Sequence, residues 1–248
     1  MTEPSALIVT GAAQGIGRAV ALRSAAGGAR VAVWDIHRDG GEETARLCRE
    51  AGIESGFWHV DVGDEAQVKA AAADVKRRWG TPYGLVNNAG IYPRASALEM
   101  DLALWEQVLR VNLGGTFLCA RTVAKSMLEA GRGAIVNMAS GRALAGAARG
   151  AHYASSKAGI VALTKSLALE WAPYGIRVNC VIPGITDTAQ PRGEMSDEQL
   201  CRVGSSIPLG RIGQPEDIAA VVAFLLGGDA SYMTGQSVAV NGGAIMIP

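Results

Sequence analysis

Apolar positions along this chain follow two alternating rhythms. Short β-rich runs at residues 6–9, 30–34, 56–60, 84–86, 134–138, 177–181 and 237–240 read as strands. Several are apolar at consecutive positions, which predicts burial on both faces, as in a parallel sheet covered by helices. Helical spacing fills the intervals, at residues 15–26, 40–51, 65–79, 102–109, 112–129, 153–172 and 215–226. Strict alternation predicts right-handed βαβ units in an α/β fold, a doubly wound parallel sheet with helices on both faces. No linker or repeat divides the chain, so residues 1–248 read as a single domain. Residues 185–211, rich in Thr, Gly, Pro and Ser, break the rhythm. A connection of that length is expected to be a functional loop, here a lid with a short amphipathic piece at 197–203. Its alternative is a plain surface excursion.

Composition narrows the classes. Hydrophobic residues make up 49% and charged residues 19%, a balance for a buried core. Lys plus Arg and Asp plus Glu both number 23, and no basic run occurs, so no nucleic-acid partner is expected. No apolar stretch approaches the ~18 residues of a membrane span. The opening Met1-Thr2-Glu3-Pro4 lacks the basic and then apolar order of a signal peptide. Cys48, Cys119, Cys180 and Cys201 are scattered without a CxxC pair, and His37, His59 and His152 are dispersed. No metal site is therefore expected, and the setting is expected to be cytoplasmic and reducing.

The first strand runs into Thr10-Gly11-Ala12-Ala13-Gln14-Gly15-Ile16-Gly17 and then directly into a helix. Glycines there allow a tight turn and close approach of a pyrophosphate to the helix N-terminus. A merely structural turn would look similar, but the position after the first strand of a βαβ unit points to a Rossmann-type dinucleotide site. Asp35 ends the second strand, 18 positions beyond Gly17. A carboxylate there accepts hydrogen bonds from a ribose hydroxyl and repels a 2′-phosphate, so the expected cofactor is NAD. Gln14 adds no charge to hold that phosphate, while Arg38 is the one counter-signal. Asp61-Val62, after the third strand, is either an adenine contact or the start of a turn.

Tyr153 and Lys157 are spaced i, i+4 on a helix and so project from one face. A phenol is a poor base near neutrality, and a neighbouring ammonium favours its ionised form. The pair alone is unspecific. With the glycine turn, Asn87-Asn88-Ala89-Gly90, Asn112, Ser140, Pro183-Gly184, Pro208-Leu209-Gly210-Arg211, Pro215-Glu216-Asp217, Thr234-Gly235-Gln236 and Asn241-Gly242-Gly243, the order and spacing resemble the short-chain dehydrogenase/reductase family. The resemblance spans essentially the whole chain, and no catalytic position departs from the pattern.

The resemblance implies roles. Tyr153 would be the acid/base, Lys157 would depress its pKa and bind the nicotinamide ribose, and Ser140 would stabilise charge on the substrate oxygen. Asn112 would interrupt its helix and hold a water in a proton relay from Lys157. Gly11, Gln14, Gly15, Ile16, Gly17, Asp35, Asp61, Val62, Asn88, Ala89, Gly90, Tyr153 and Lys157 would contact the cofactor, with Pro183, Gly184, Ile185 and Thr188 at the nicotinamide end. The substrate would meet Ser140, Tyr153, Tyr92, Pro93 and Arg142, with Ala143, Leu144 and Ala145 lending an apolar wall. Arg94 and Arg142 either pair with a substrate carboxylate or are solvated. The Ile91-Tyr92-Pro93 segment is similar to that of enzymes oxidising 1-arylethanols. An NAD-dependent secondary-alcohol dehydrogenase is therefore expected. The alternatives are an NADPH-dependent 3-oxoacyl-thioester or sugar reductase, and a non-catalytic NAD-binding sensor or scaffold. Apolar residues on several faces of helices 112–129 and 153–172, with Phe224-Leu225-Leu226 and Ile245-Met246-Ile247, imply the family's usual homotetramer.

Overall fold

A computed structural model describes residues 6–26 and 28–246; Met1-Thr2-Glu3-Pro4 and Ile247 lie outside the described residues. Seven strands form one sheet: β1 (Ala6–Thr10), β2 (Arg30–Asp35), β3 (Ser55–His59), β4 (Gly84–Asn87), β5 (Gly133–Met138), β6 (Ile176–Pro183) and β7 (Ser237–Val240). Their spatial order is β3-β2-β1-β4-β5-β6-β7 and every pairing is parallel. The order reverses between β1 and β4, and such a switch point opens a crevice at the carboxyl ends of the strands.

The helices are α1 (Gly15–Ala26), α2 (Arg38–Glu50), α3 (Glu65–Trp79), α4 (Leu102–Leu109), α5 (Gly115–Ala130), α6 (Arg142–Ala145), α7 (Ala151–Trp171), α8 (Ala189–Arg192), α9 (Asp197–Ser206) and α10 (Pro215–Leu226). Alternate strand positions feed two cores. Leu7, Val9, Val31 and Val33 pack with Val20, Ile218, Val222 and Leu225 on one face. Ile8, Trp34, Leu85 and Ile135 pack with Val123, Met127, Leu167 and Trp171 on the other. Each large side chain so buried stabilises the fold by roughly 1.5–3 kcal/mol. Local chemistry fixes the helix starts: the Asp64 carboxylate accepts from the N–H groups of Ala66 and Gln67, and Ser196 with Gln199 forms a capping box for α9.

Boundaries differ from the sequence pattern in instructive ways. β3 starts one residue early, at Ser55, because it is an edge strand whose residues are only half covered. The helices expected at 102–109 and 112–129 are one continuous element, joined by a π-helical turn at Arg110–Gly114. Leu225 and Leu226, expected on an outer surface, are buried against the sheet, leaving Phe224 exposed. The lid at 185–211 carries α8 and α9, the latter three residues longer than the amphipathic piece read from its pattern. Among the described residues no helix is long and apolar enough to cross a membrane, and no three His, Cys, Asp or Glu gather into a metal-binding group.

Candidate active site

The glycine turn is held from three sides. Asn88 donates from its amide to the carbonyls of Thr10 (3.1 Å) and Gly11 (2.9 Å), while the Thr10 hydroxyl accepts from the N–H groups of Asn88 and Ala89. Arg18 braces the turn from behind, donating to Thr44 and to the carbonyls of Ala13 and Gly40. Gly17 has no room for a side chain: a Cβ would lie 2.2 Å from the Gly11 carbonyl oxygen. Gly11 and Gly15 both have positive φ, 63° and 53°, where glycine alone is unstrained. Asp35 is buried at the end of β2, and its two oxygens accept from the N–H groups of Ala13 (2.8 Å) and His37 (2.9 Å). Its charge is thus aimed into the turn it supports. Arg38, the counter-signal, lies over the Phe57 ring at 5.9 Å.

A cavity of about 410 Å³ follows this turn, lined by Gly11, Gln14, Gly15, Asp35, Asp61 and Val62 among others. Asp61 starts a turn and also lines this cavity. One oxygen closes a turn by accepting from Gly63, the other pairs with Arg110 at 3.3 Å, and the residue still faces the cavity. A second cavity of about 340 Å³ adjoins it, sharing Ile16, Asn88, Gly90, Thr188 and Gln190. The two make one groove across the switch point, with Gly11, Gly15, Gly90 and Gly184 among its lining residues.

The chemistry-bearing side chains meet in the second cavity. Ser140 follows β5, and Tyr153 and Lys157 come from the first turns of α7, all three lining it. Burial pushes the Tyr153 phenol up to about 12; a hydrogen bond with Ser140 and the charge of Arg142 pull the other way, and Tyr92 adds to the rise. Lys157 was expected to depress that pKa, and here it does not. Its Nζ donates to the Met138 carbonyl at 2.8 Å and sits 5.6 Å from the phenol ring centre, and burial brings the amine itself down to about 8. For both groups desolvation, which disfavours the charged form, is the largest cause of the shift.

Asn112 sits in the π-helical turn, so the expected interruption of the helix is present. Its side-chain amide is fully engaged: Oδ1 accepts from Ile91 N–H (2.8 Å), and Nδ2 donates to the Ile91 carbonyl (3.0 Å) and Ser156 (3.1 Å). It clamps the loop after β4 to α7. A Cβ at Gly90 would come within 3.2 Å of Asn112 Oδ1 and 3.5 Å of Lys157 Nζ, so this glycine keeps the space between them clear.

Pro183, Gly184, Ile185 and Thr188 line the cleft as expected. On the substrate side Tyr92 and Arg142, the first residue of α6, line the cleft, whereas Pro93, Ala143, Leu144 and Ala145 are not among the residues that line it, and Leu144 is exposed. Arg94, read as solvated or substrate-bound, instead pairs with Glu194 at 2.6 Å. The lid beyond Pro183-Gly184, a pocket candidate as a segment, brings Thr186, Glu194 and Met195 to the cleft; Asn241 and Ala244 were not read as lining it, and Ile245, read as a subunit contact, lines it too. A signal was present for Asn241, which adjoins the Gly242-Gly243 pair; nothing local marked Ala244.

A family model described as enoyl-(acyl carrier protein) reductase matches residues 11–244. The chain is 39% identical to cis-4-hydroxycyclohexanecarboxylate dehydrogenase of Sinomonas cyclohexanicum, over 95% of this chain and 94% of that one. It is 40% identical to D-threitol dehydrogenase of Mycolicibacterium smegmatis, over 95% and 91%. The crystal structure of levodione reductase superposes with a TM-score of 0.92 at 36% identity, covering 98% of both chains.

Proposed function

The chain belongs to the short-chain dehydrogenase/reductase family, oxidoreductases that act between alcohols and ketones with a nicotinamide cofactor, and from that premise we propose an NAD-dependent secondary-alcohol dehydrogenase. The observation that carries the reading is Tyr153 beside Ser140 in a cleft continuous with the Asp35-bounded groove. When bound, the nicotinamide would supply the hydride chemistry. Gly11, Gln14, Gly15, Ile16 and Gly17 would hold its pyrophosphate, Asp35 its adenosine ribose, and Asp61 and Val62 its adenine. Asn88, Ala89, Gly90 and Lys157 would hold the nicotinamide half, with Ile185 and Thr188 at its amide.

Tyr153 then moves the proton, giving it to a ketone oxygen or taking it from an alcohol. Ser140 donates a hydrogen bond to the same oxygen as charge builds there. Segment 185–211 excludes water from above. Support for NAD comes from Asp35, whose fixed carboxylate repels a 2′-phosphate, and from Arg38 lying on Phe57 instead of at the ribose. The substrate we assign is a 1-arylethanol-type alcohol, on the strength of the aromatic wall at Tyr92. Arg142 has no ion-pair partner among the described residues, which favours testing carboxylated alcohols as well. The setting is cytoplasmic and the assembly a homotetramer in this reading.

One experiment tests the core of it: initial rates with NAD and a panel of 1-phenylethanol, simple diols, 4-hydroxycyclohexanecarboxylate and 3-hydroxyacyl thioesters, for the wild type and Tyr153→Phe. Tyr153→Phe is expected to lose turnover while binding NADH nearly as before. Substantial remaining activity would remove Tyr153 from the acid/base role. The enoyl-(acyl carrier protein) reductase description of the matching model favours a second reading, an NADPH-dependent acyl-thioester reductase. Faster steady-state rates with NADPH than with NADH would establish that reading over the first.

A further inference from the structure

A chain of contacts runs from the lid to the catalytic phenol. The ring of Tyr92 lies on the ring of Tyr153, with centroids 4.0 Å apart and planes 22° from parallel. Arg94 sets its guanidinium over the Tyr92 ring, 5.5 Å from its centre. The same guanidinium is ion-paired at 2.6 Å to Glu194, which belongs to segment 185–211 and keeps only 23% of its side chain exposed. All four residues line the same cavity. The space for Tyr92 is reserved by Gly150, immediately before α7. A Cβ there would lie 2.5 Å from Tyr92 Oη and 2.7 Å from its Cε2, so any larger residue would push Tyr92 off the phenol.

From this geometry we infer that Tyr92 is a positioning residue for Tyr153, and that Glu194, acting through Arg94, makes the setting of the phenol depend on where segment 185–211 lies. The inference rests on the reading of Tyr153 as acid/base and adds to it a route by which the lid is felt at the reacting atom. A stacked ring excludes water from one face of the phenol and fixes its plane, while the cation above Tyr92 holds that ring down. The other titratable or charged groups around Tyr153 are Lys157 and His152 on its own helix, Arg142 on α6, and Cys180 on β6 beside Lys157. Of the charged groups in the cleft, Arg94 is the one ion-paired to segment 185–211 among the described residues.

The direction of the effect follows from two terms of the same sign. Glu194→Gln leaves the Arg94 cation uncompensated and loosens its hold on Tyr92. An uncompensated cation and a wetter phenol both favour phenolate, so the Tyr153 titration midpoint falls. Tyr92→Leu removes the ring and wets the phenol directly, with the same direction.

Fluorine NMR of 3-fluorotyrosine-labelled protein reads this without any substrate, since fluorination brings phenol titration into an accessible pH range. The chain holds five tyrosines, and Tyr153→Phe assigns the resonance of interest by its loss. Glu194→Gln and Tyr92→Leu are each expected to lower the Tyr153 midpoint by about half a pH unit or more, a shift within the range of couplings between contacting residues. Tyr92→Phe, which keeps the ring, is expected to lower the midpoint by less than Tyr92→Leu does. In the Tyr92→Leu background, Glu194→Gln should lower the midpoint by clearly less than in the wild type, because only the through-space effect of the freed cation remains. An equal fall with and without the Tyr92 ring would show that Glu194 acts through space alone, and no fall at all would show no link; either overturns the proposal. The acid/base reading stands or falls separately, on the turnover of Tyr153→Phe.

Discussion

At the scale of single residues, the proposed acid/base role of Tyr153 makes its protonation decide which direction of reaction is easy at neutral pH. Burial holds the phenol up at about 12, so in this setting it is a proton donor ready for ketone reduction. Alcohol oxidation needs the phenolate. Because the folded pKa lies above the ordinary value of a phenol, the basic form is scarce below it and grows as pH rises. The kcat/KM for alcohol oxidation is therefore expected to climb from about pH 6 to about pH 10, while ketone reduction holds level near neutrality and falls on the alkaline side. Initial-rate profiles in both directions check this. An oxidation rate that declines over that range would contradict a buried phenol base. The residue types themselves were legible in the sequence, since i, i+4 spacing on a helix fixes a shared face before any packing is known. Which group controls the phenol was not, because Lys157 turned to the Met138 carbonyl and burial outweighed it. That balance depends on three-dimensional surroundings that spacing does not carry.

At the scale of elements, the strands and long helices were readable because each carries its own period and its own stops. The glycine turn was readable for the same reason: the residues that make it are contiguous. What failed was every contact whose partners are distant in the chain. Helices α4 and α5 looked separate because the polar Arg110 and Asn112 break the apolar stripe. A π-helical turn absorbs that break and aims Asn112 at Ile91 and Ser156. Pro93 and Ala143, Leu144 and Ala145 of α6 do not line the cleft although Tyr92 and Arg142 beside them do, since sequence adjacency to a lining residue says nothing about which way a side chain faces. Buried polar pairs were equally invisible. Asn87 and Asn137 lie opposite each other on β4 and β5 and share a 2.9 Å hydrogen bond, continued from Asn137 to Thr164. A slip of the β4–β5 register by one residue would leave these amides unpaired in the core, so they help specify the pairing that brings Ser140 to the cleft.

At the scale of the whole molecule, the surface of α7 opposite its catalytic face poses the question of assembly. Ala151, Ala158, Ala162 and Leu169 are all exposed, and their spacings of seven, four and seven place them along one line of the helix. Leu169 keeps 82% of its surface, and Phe117 on α5 is exposed as well. A helix face this apolar gains from being covered, and in the proposed homotetramer a second copy of the chain would supply a matching stripe under two-fold symmetry. A tetramer should therefore show a native mass near four times the 25.7 kDa of the chain. Ala162→Glu places a carboxylate in the middle of that stripe, where burying it unpaired costs several kcal/mol. The same side chain on a solvated helix would cost little. The variant is expected to run as dimers or single chains by native mass spectrometry, with its circular dichroism unchanged. A wild type that runs as one chain would leave the stripe without a partner copy, and a tetrameric Ala162→Glu would move the interface to another face. Because α7 also presents Tyr153 and Lys157, covering its outer side would stiffen the helix on which the acid/base stands, so loss of assembly in this variant should appear in turnover as well as in mass.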